Sequence, residues 1–150
     1  MAVGAPATTQ EGESLRPRHL LLVEDNDAHA RLVMMALAEH AVPVTTDWVA
    51  DGDEAIAYLH REGRFAGRAE LDLVLLDLKL PTVDGFDVLA EIRKDDRLKA
   101  MPVVVLTTSS YELDMQEAEQ AGASGFLVKP ITYDEWRAMA GKILTTWCGG

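Results

Sequence analysis

The chain has 150 residues, 48% of them hydrophobic, which matches one compact domain with one sizeable core. No apolar run approaches the ~18 residues a membrane-spanning helix needs, and residues 1–18 lack the hydrophobic stretch of a signal peptide, so a soluble cytoplasmic protein is expected. A formal net charge of -11 repels polyanions over the Debye range, so neither nucleic acid nor a membrane is expected as a partner.

Residues 1–17 mix Ala, Gly, Thr, Glu and Pro without period and read as a disordered leader, with residues 18–150 as the folded domain. The first strand is expected over His19–Val23, apolar through its centre, followed by a helix capped by Asn26 or Asp27 with Leu32, Val33, Ala36 and Leu37 on one face. Val44–Val49 is more polar and fits an edge strand, and Asp51 caps a second helix. His60–Glu70, with two glycines and three arginines, reads as a solvated loop. Asp72–Leu76, Val103–Leu106 and Gly125–Val128 then read as strands buried on both faces. Asp84 caps the helix after the first of these, and a weakly amphipathic helix over Glu112–Ala121 follows the second. The last helix opens on a capping box, Thr132 with Glu135, and carries Trp136, Met139, Ala140, Ile143, Leu144 and Trp147 on one face. The single cysteine, Cys148, excludes an intrachain disulfide and reads as a free tail thiol.

Strand and helix thus alternate five times, and right-handed crossovers predict an α/β fold, a doubly wound five-stranded parallel sheet with helices on both faces. Ligands in such sheets bind outside the carboxyl ends of the strands. Glu24 and Asp25 follow the first strand, Asp77 the third, Thr107 and Thr108 the fourth, and Lys129 and Pro130 the fifth. Clustered carboxylates repel one another unless a cation is present, and Mg²⁺, with its preference for oxygen ligands, resolves the conflict. The lysine and hydroxyl then suit a phosphoryl group, whose charge is spread over its equatorial oxygens, and a carboxylate can serve as the nucleophile.

Val23-Glu-Asp-Asn26, Leu75-Leu-Asp-Leu-Lys-Leu-Pro81 with Asp84-Gly85, Val105-Leu-Thr-Thr-Ser109 and Gly125-Phe-Leu-Val-Lys-Pro130 together resemble the signature segments of response-regulator receiver domains, over about residues 18–147. The resemblance implies the flavodoxin-like strand order 2-1-3-4-5. It also implies that Asp77 is the phosphoacceptor, Asp25 a direct Mg²⁺ ligand, Glu24 a ligand through metal-bound water, and Lys79 a ligand through its backbone carbonyl. By the same resemblance Thr107 bonds the phosphoryl group, Thr108 contributes its backbone N–H, Lys129 pairs with a phosphoryl oxygen, and the Lys129–Pro130 peptide is cis. Phe126 stands where the family keeps a switch aromatic that turns inward as Thr107 moves. Lacking a hydroxyl, it would be held in that state by packing alone.

The rival reading is an aspartate-nucleophile phosphatase or phosphotransferase, which would want an acid/base aspartate two residues after the nucleophile, where Lys79 stands. The chain resembles the single-domain regulators that partner bacterial phytochrome kinases. A sensor histidine kinase or a histidine phosphotransfer protein is therefore the expected phosphodonor, and output is expected through protein contacts. A homodimer through the fourth helix, fifth strand and fifth helix is expected, with Trp136 or Trp147 near the contact. His19, His29, His40 and His60 have no metal-binding spacing and read as surface or boundary residues.

Overall fold

Successive strand side chains point to opposite faces of a sheet, so an unbroken apolar run must be covered on both. The first run does this: Leu20 and Leu22 enter one core layer, Leu21 and Val23 the other, all four essentially inaccessible. The structure, a computed structural model, describes residues 16–148. In chain order it contains β1 (Arg18–Val23), α1 (Asp27–Ala38), β2 (Val44–Val49), α2 (Gly52–Leu59), β3 (Leu73–Leu76), α3 (Gly85–Lys94), β4 (Val103–Thr107), α4 (Glu112–Gln120), β5 (Gly125–Val128) and α5 (Tyr133–Trp147). The strands form one parallel sheet in the order β2-β1-β3-β4-β5, as expected. The expected leader falls outside the described residues except for Arg16 and Pro17.

One layer is built by α1 and α5, whose Ala30, Val33, Leu37, Trp136 and Ile143 pack on Leu20, Leu22, Leu75 and Val104. The other is built by α2 and α3, whose Ala55, Tyr58, Val88, Leu89 and Ile92 pack on Leu21, Val23, Val74 and Leu76. A small third cluster of Leu78, Val105 and Ala118 lies under α4, with Phe126 and Phe86 at its margin. Trp136 is therefore a core residue, only 3% exposed. The Trp147 ring closes over Gly125.

The caps follow the sequence signals. Side chains of Asn26, Asp51 and Asp84 accept the N–H of His29, Glu54 and Asp87, and Thr132 and Glu135 form the capping box of α5. α4 differs: no side chain caps its N-terminus at Tyr111, and only Ala118 is buried. By contrast α1 and α5 are laced together, Tyr133 donating to Glu39, Arg137 pairing with Glu39 at 3.5 Å, and His40 bonding the Arg137 carbonyl at 2.9 Å.

One local expectation changes. β5 is only half-buried, with Val128 exposed, because it is the sheet's second edge and α4 covers it thinly. Residues 60–70 are mostly exposed, as a solvated loop implies, with Arg68 tying the stretch to the end of α2. The Arg68 guanidinium donates to the Tyr58 and Leu59 carbonyls at 2.7 and 2.8 Å, the Tyr58 carbonyl also accepting the Arg61 N–H at 3.1 Å, and lies over the Tyr58 ring.

Gly85 opens α3 against the loop after β3: a Cβ there would lie 2.3 Å from the Asp77 carbonyl oxygen. Backbone cannot retreat as a side-chain tip can. Gly85→Ala is therefore expected to destabilise the protein by about 1–3 kcal/mol through overpacking, read as a lower urea midpoint.

Candidate functional site

Four strands end side by side, and the residue that closes or follows each end carries the chemistry. Backbone bonds hold these ends in place: Glu24 N–H donates to Val49 O at 3.1 Å, Asp77 N–H to Val23 O at 3.0 Å, and Lys129 N–H to Thr107 O at 2.7 Å. The Glu24, Asp77, Thr107 and Lys129 residues are buried where the loops close over the rim. Asp25 and Thr108 are exposed at its mouth.

The Lys129 ammonium sits inside the acidic group. Its Nζ lies 3.0 Å from Asp77 Oδ2, pairs closely with Glu24, and reaches His29 Nδ1 at 3.1 Å. Each of its three N–H bonds thus has an acceptor, as a buried ammonium requires. The other Glu24 oxygen accepts the Asn26 N–H at 3.1 Å, and Asp77 Oδ1 accepts the Lys79 N–H at 3.2 Å. Glu24, Asp25 and Asp77 each offer a carboxylate oxygen within 4.8 Å of the others. Beside Asp25 opens a groove lined by Lys79, Pro81, Asp84 and Phe86.

Charge and donor type together test whether a metal fits. Three carboxylates against one ammonium leave two negative charges when all are ionised, which is the charge of one divalent ion. The donors are hard oxygens, with neither thiolate nor imidazole in the group, so the set fits a divalent cation of the Mg²⁺ or Mn²⁺ type. The ammonium already occupies part of the same negative field.

Burial pushes the Glu24 carboxyl up to about 7; the Asp77 charge adds to the rise, while Lys129 and the Asn26 N–H oppose it. Burial and the neighbouring Lys129 charge hold the His29 imidazole below its usual value, against the Asp77 and Asp25 charges.

The sequence-derived residues are therefore brought together, with one correction. The Lys129–Pro130 peptide, expected cis, is trans, since no described peptide bond is cis. Trans is the lower-energy isomer, and Lys129 reaches both carboxylates from it. Thr107 is fully buried, its Oγ1 accepting the Ser109 N–H at 3.3 Å. Phe126 is half-buried against the cluster under α4.

Two residues escaped the sequence reading. His29 lies in the first turn of α1, three residues past its cap, where a side chain overlooks the rim; its placement after the cap was the available signal. Trp48 is one residue before the end of β2, and its indole N–H donates to the Glu24 carbonyl at 2.7 Å, bracing the acidic turn from the neighbouring strand.

The sequence profile of the response regulator receiver domain matches residues 20–140. The chain belongs to the response-regulator receiver family. A receiver is a module of phosphorylation-based signalling, not a classical enzyme. Among similar proteins, response regulator Rcp1 of Synechocystis is 37% identical over 90% of this chain and 92% of its own length. A probable methanogenesis regulatory protein, FilR2 of Methanothrix harundinacea, is 41% identical over 91% of this chain and 88% of its own. The phosphorylated cyanobacterial phytochrome response regulator RcpA superposes with a TM-score of 0.82 at 41% identity, covering 87% of this chain and 94% of that one. The Mn²⁺-bound form of Rcp1 superposes with a TM-score of 0.80 at 37% identity over the same shares. Among the described residues of this receiver no helix is long and apolar enough to cross a membrane.

The raised Glu24 value carries a pH dependence. A carboxyl whose folded value lies above its unfolded one stabilises the fold fully below about 4.5 and loses that contribution as pH rises through about 7. In EDTA the urea midpoint of the wild type is expected to fall between pH 5 and pH 8. Glu24→Gln should flatten that part of the curve.

Proposed function

We propose that this receiver accepts one phosphoryl group on Asp77 from the phosphohistidine of a sensor kinase, a bacteriophytochrome by the likeness of its relatives, or from a histidine phosphotransfer protein, in the cytoplasm. The observation that carries this reading is the buried Lys129 ammonium held against Asp77 and Glu24 at the strand ends, with Asp25 at the mouth. An Asp77 carboxylate oxygen attacks phosphorus, the phosphorus–nitrogen bond breaks, and the electron pair leaves with the donor imidazole. The product is an acyl phosphate, and the domain acts only on itself.

Asp25 and Asp77 would hold Mg²⁺ directly, Glu24 through water, and Lys79 through its carbonyl; bound there, the ion supplies charge neutralisation for the phosphoryl oxygens. Lys129 turns from carboxylate to phosphoryl oxygen, a short excursion for a side chain already beside Asp77. The Thr107 hydroxyl and the Thr108 N–H donate to the remaining oxygens. Thr107 gives up one long contact to do so, and Phe126, at the margin of the cluster under α4, turns toward the space it leaves.

Incubation with Mg²⁺ and acetyl phosphate should add the mass of one phosphoryl group per chain in the wild type and none in Asp77→Asn. Label on the variant, or repeated turnover of small phosphate esters by the wild type, would favour the rival phosphatase.

The phosphorylated form signals through a second copy of the chain. Leu113 and Met115 on α4, Val128 on β5 and Ile131 just beyond it are exposed, Ile131 by 95%, on the side where the switch residues lie. These residues, rather than either tryptophan, are the apolar centre of a symmetric α4–β5–α5 contact. Sedimentation should show a concentration-dependent dimer that beryllofluoride strengthens and Ile131→Asp weakens. A monomer at every concentration, with and without beryllofluoride, would end this reading.

A further inference from the structure

The three N–H bonds of the Lys129 ammonium point at two carboxylates and one imidazole. An ammonium has no lone pair, so His29 Nδ1 must be the acceptor of the third bond and the ring proton must sit on Nε2. The ring is not free to wander. The His29 backbone N–H is held by the Asn26 cap at 3.0 Å, which fixes the start of the side chain, and the imidazole tilts against Trp136 with ring centroids 6.4 Å apart, that indole being buried in the core between α1 and α5. Burial and the Lys129 charge both oppose protonation of His29, which keeps the acceptor available.

The two kinds of acceptor differ once the site is loaded. Glu24 and Asp77 are also the groups that a divalent cation would draw on. A cation competing for their oxygens weakens their hold on the ammonium and repels it. A neutral imidazole outside the carboxylate group loses nothing in that exchange. Four methylenes would otherwise let the ammonium swing out to water, with the entropy of a freed lysine side chain favouring escape.

We infer that His29 is a positioning residue for phosphoryl transfer, its Nδ1 tethering the Lys129 ammonium beside Asp77 while the carboxylates are engaged elsewhere. This rests on Asp77 being the phosphoacceptor. The tethered ammonium has only to pivot to meet an incoming phosphoryl oxygen, so part of the ordering that transfer requires is already present in the resting state. His29 touches neither the phosphoryl group nor the attacking oxygen; it acts through Lys129.

His29→Leu removes the acceptor and keeps an apolar side chain on Trp136. His29→Asn places a carbonyl oxygen near the position of Nδ1. With acetyl phosphate and Mg²⁺, the leucine variant is expected to phosphorylate about tenfold more slowly, the loss of one hydrogen bond to a charged group, and the asparagine variant to recover most of that rate. Nitrogen-15 NMR of the wild type should show His29 as the Nε2–H tautomer, a readout independent of activity. Wild-type rates in a folded His29→Leu protein, equal losses in both variants, or a proton on Nδ1 would each overturn the inference. Should His29→Leu fail to fold, the asparagine rate and the tautomer decide. If the wild type itself takes no label on Asp77, the functional reading fails separately, and the tautomer still reports on the tether.

Discussion

A single ammonium, that of Lys129, holds the rim of the site together. Removed from water between Glu24 and Asp77, it joins the loops that follow β1, β3 and β5 through one set of charge-assisted contacts. Desolvating three charges is expensive, and their mutual attraction offsets that cost only when every donor and acceptor is satisfied. That condition is met, since no buried side-chain polar atom among the described residues lacks a partner. Burial nevertheless holds the Glu24 carboxyl above the usual carboxylate range. A site arranged this way is in tension at rest and gains from the arrival of a doubly charged cation.

The surrounding fold exists to make that tension affordable. Leu20–Val23, Leu73–Leu76 and Val103–Leu106 are buried on both faces, so the strand ends behind the rim have almost no freedom to separate. Backbone bonds across the rim continue the sheet's pairing by one residue past each strand, which fixes where the charged side chains emerge. Gly85 lets α3 approach the Asp77 backbone, and the Trp48 indole braces Glu24 from the opposite edge. Neither contact carries charge, yet both set how far apart the carboxylates stand.

Most of this was legible in the residues. Apolar runs marked β1, β3 and β4, four caps marked helix starts, and the rule that parallel sheets present ligands at their carboxyl ends brought Glu24, Asp25, Asp77, Thr107 and Lys129 to one place. What was not legible depended on neighbours distant in sequence. The apolar pattern of β5 could not reveal that the helix on its α4 side buries a single residue, Ala118. Arg68 in a Gly- and Arg-rich stretch looks solvated until the carbonyls at the end of α2 come within reach. Trp136 reads equally as core or interface from its spacing, and only the packing of α5 on α1 decides. His29 has no metal-binding spacing and so reads as a surface or boundary residue, whereas its partner is a lysine 100 positions away.

The cover of the sheet is unequally stiff. Across one, α1 and α5 share a tryptophan-centred core and a lattice of polar ties from Glu39 and His40 to Tyr133 and Arg137. Across the other, α2 and α3 pack as tightly on the central strands, and only at the β4–β5 end does the cover thin, where α4 rests on Ala118 with an uncapped start and bare leucine and methionine side chains. When springs are joined in series, a load stretches the soft one. A load placed on the rim would therefore meet least resistance on the α4 side, where one alanine carries the packing.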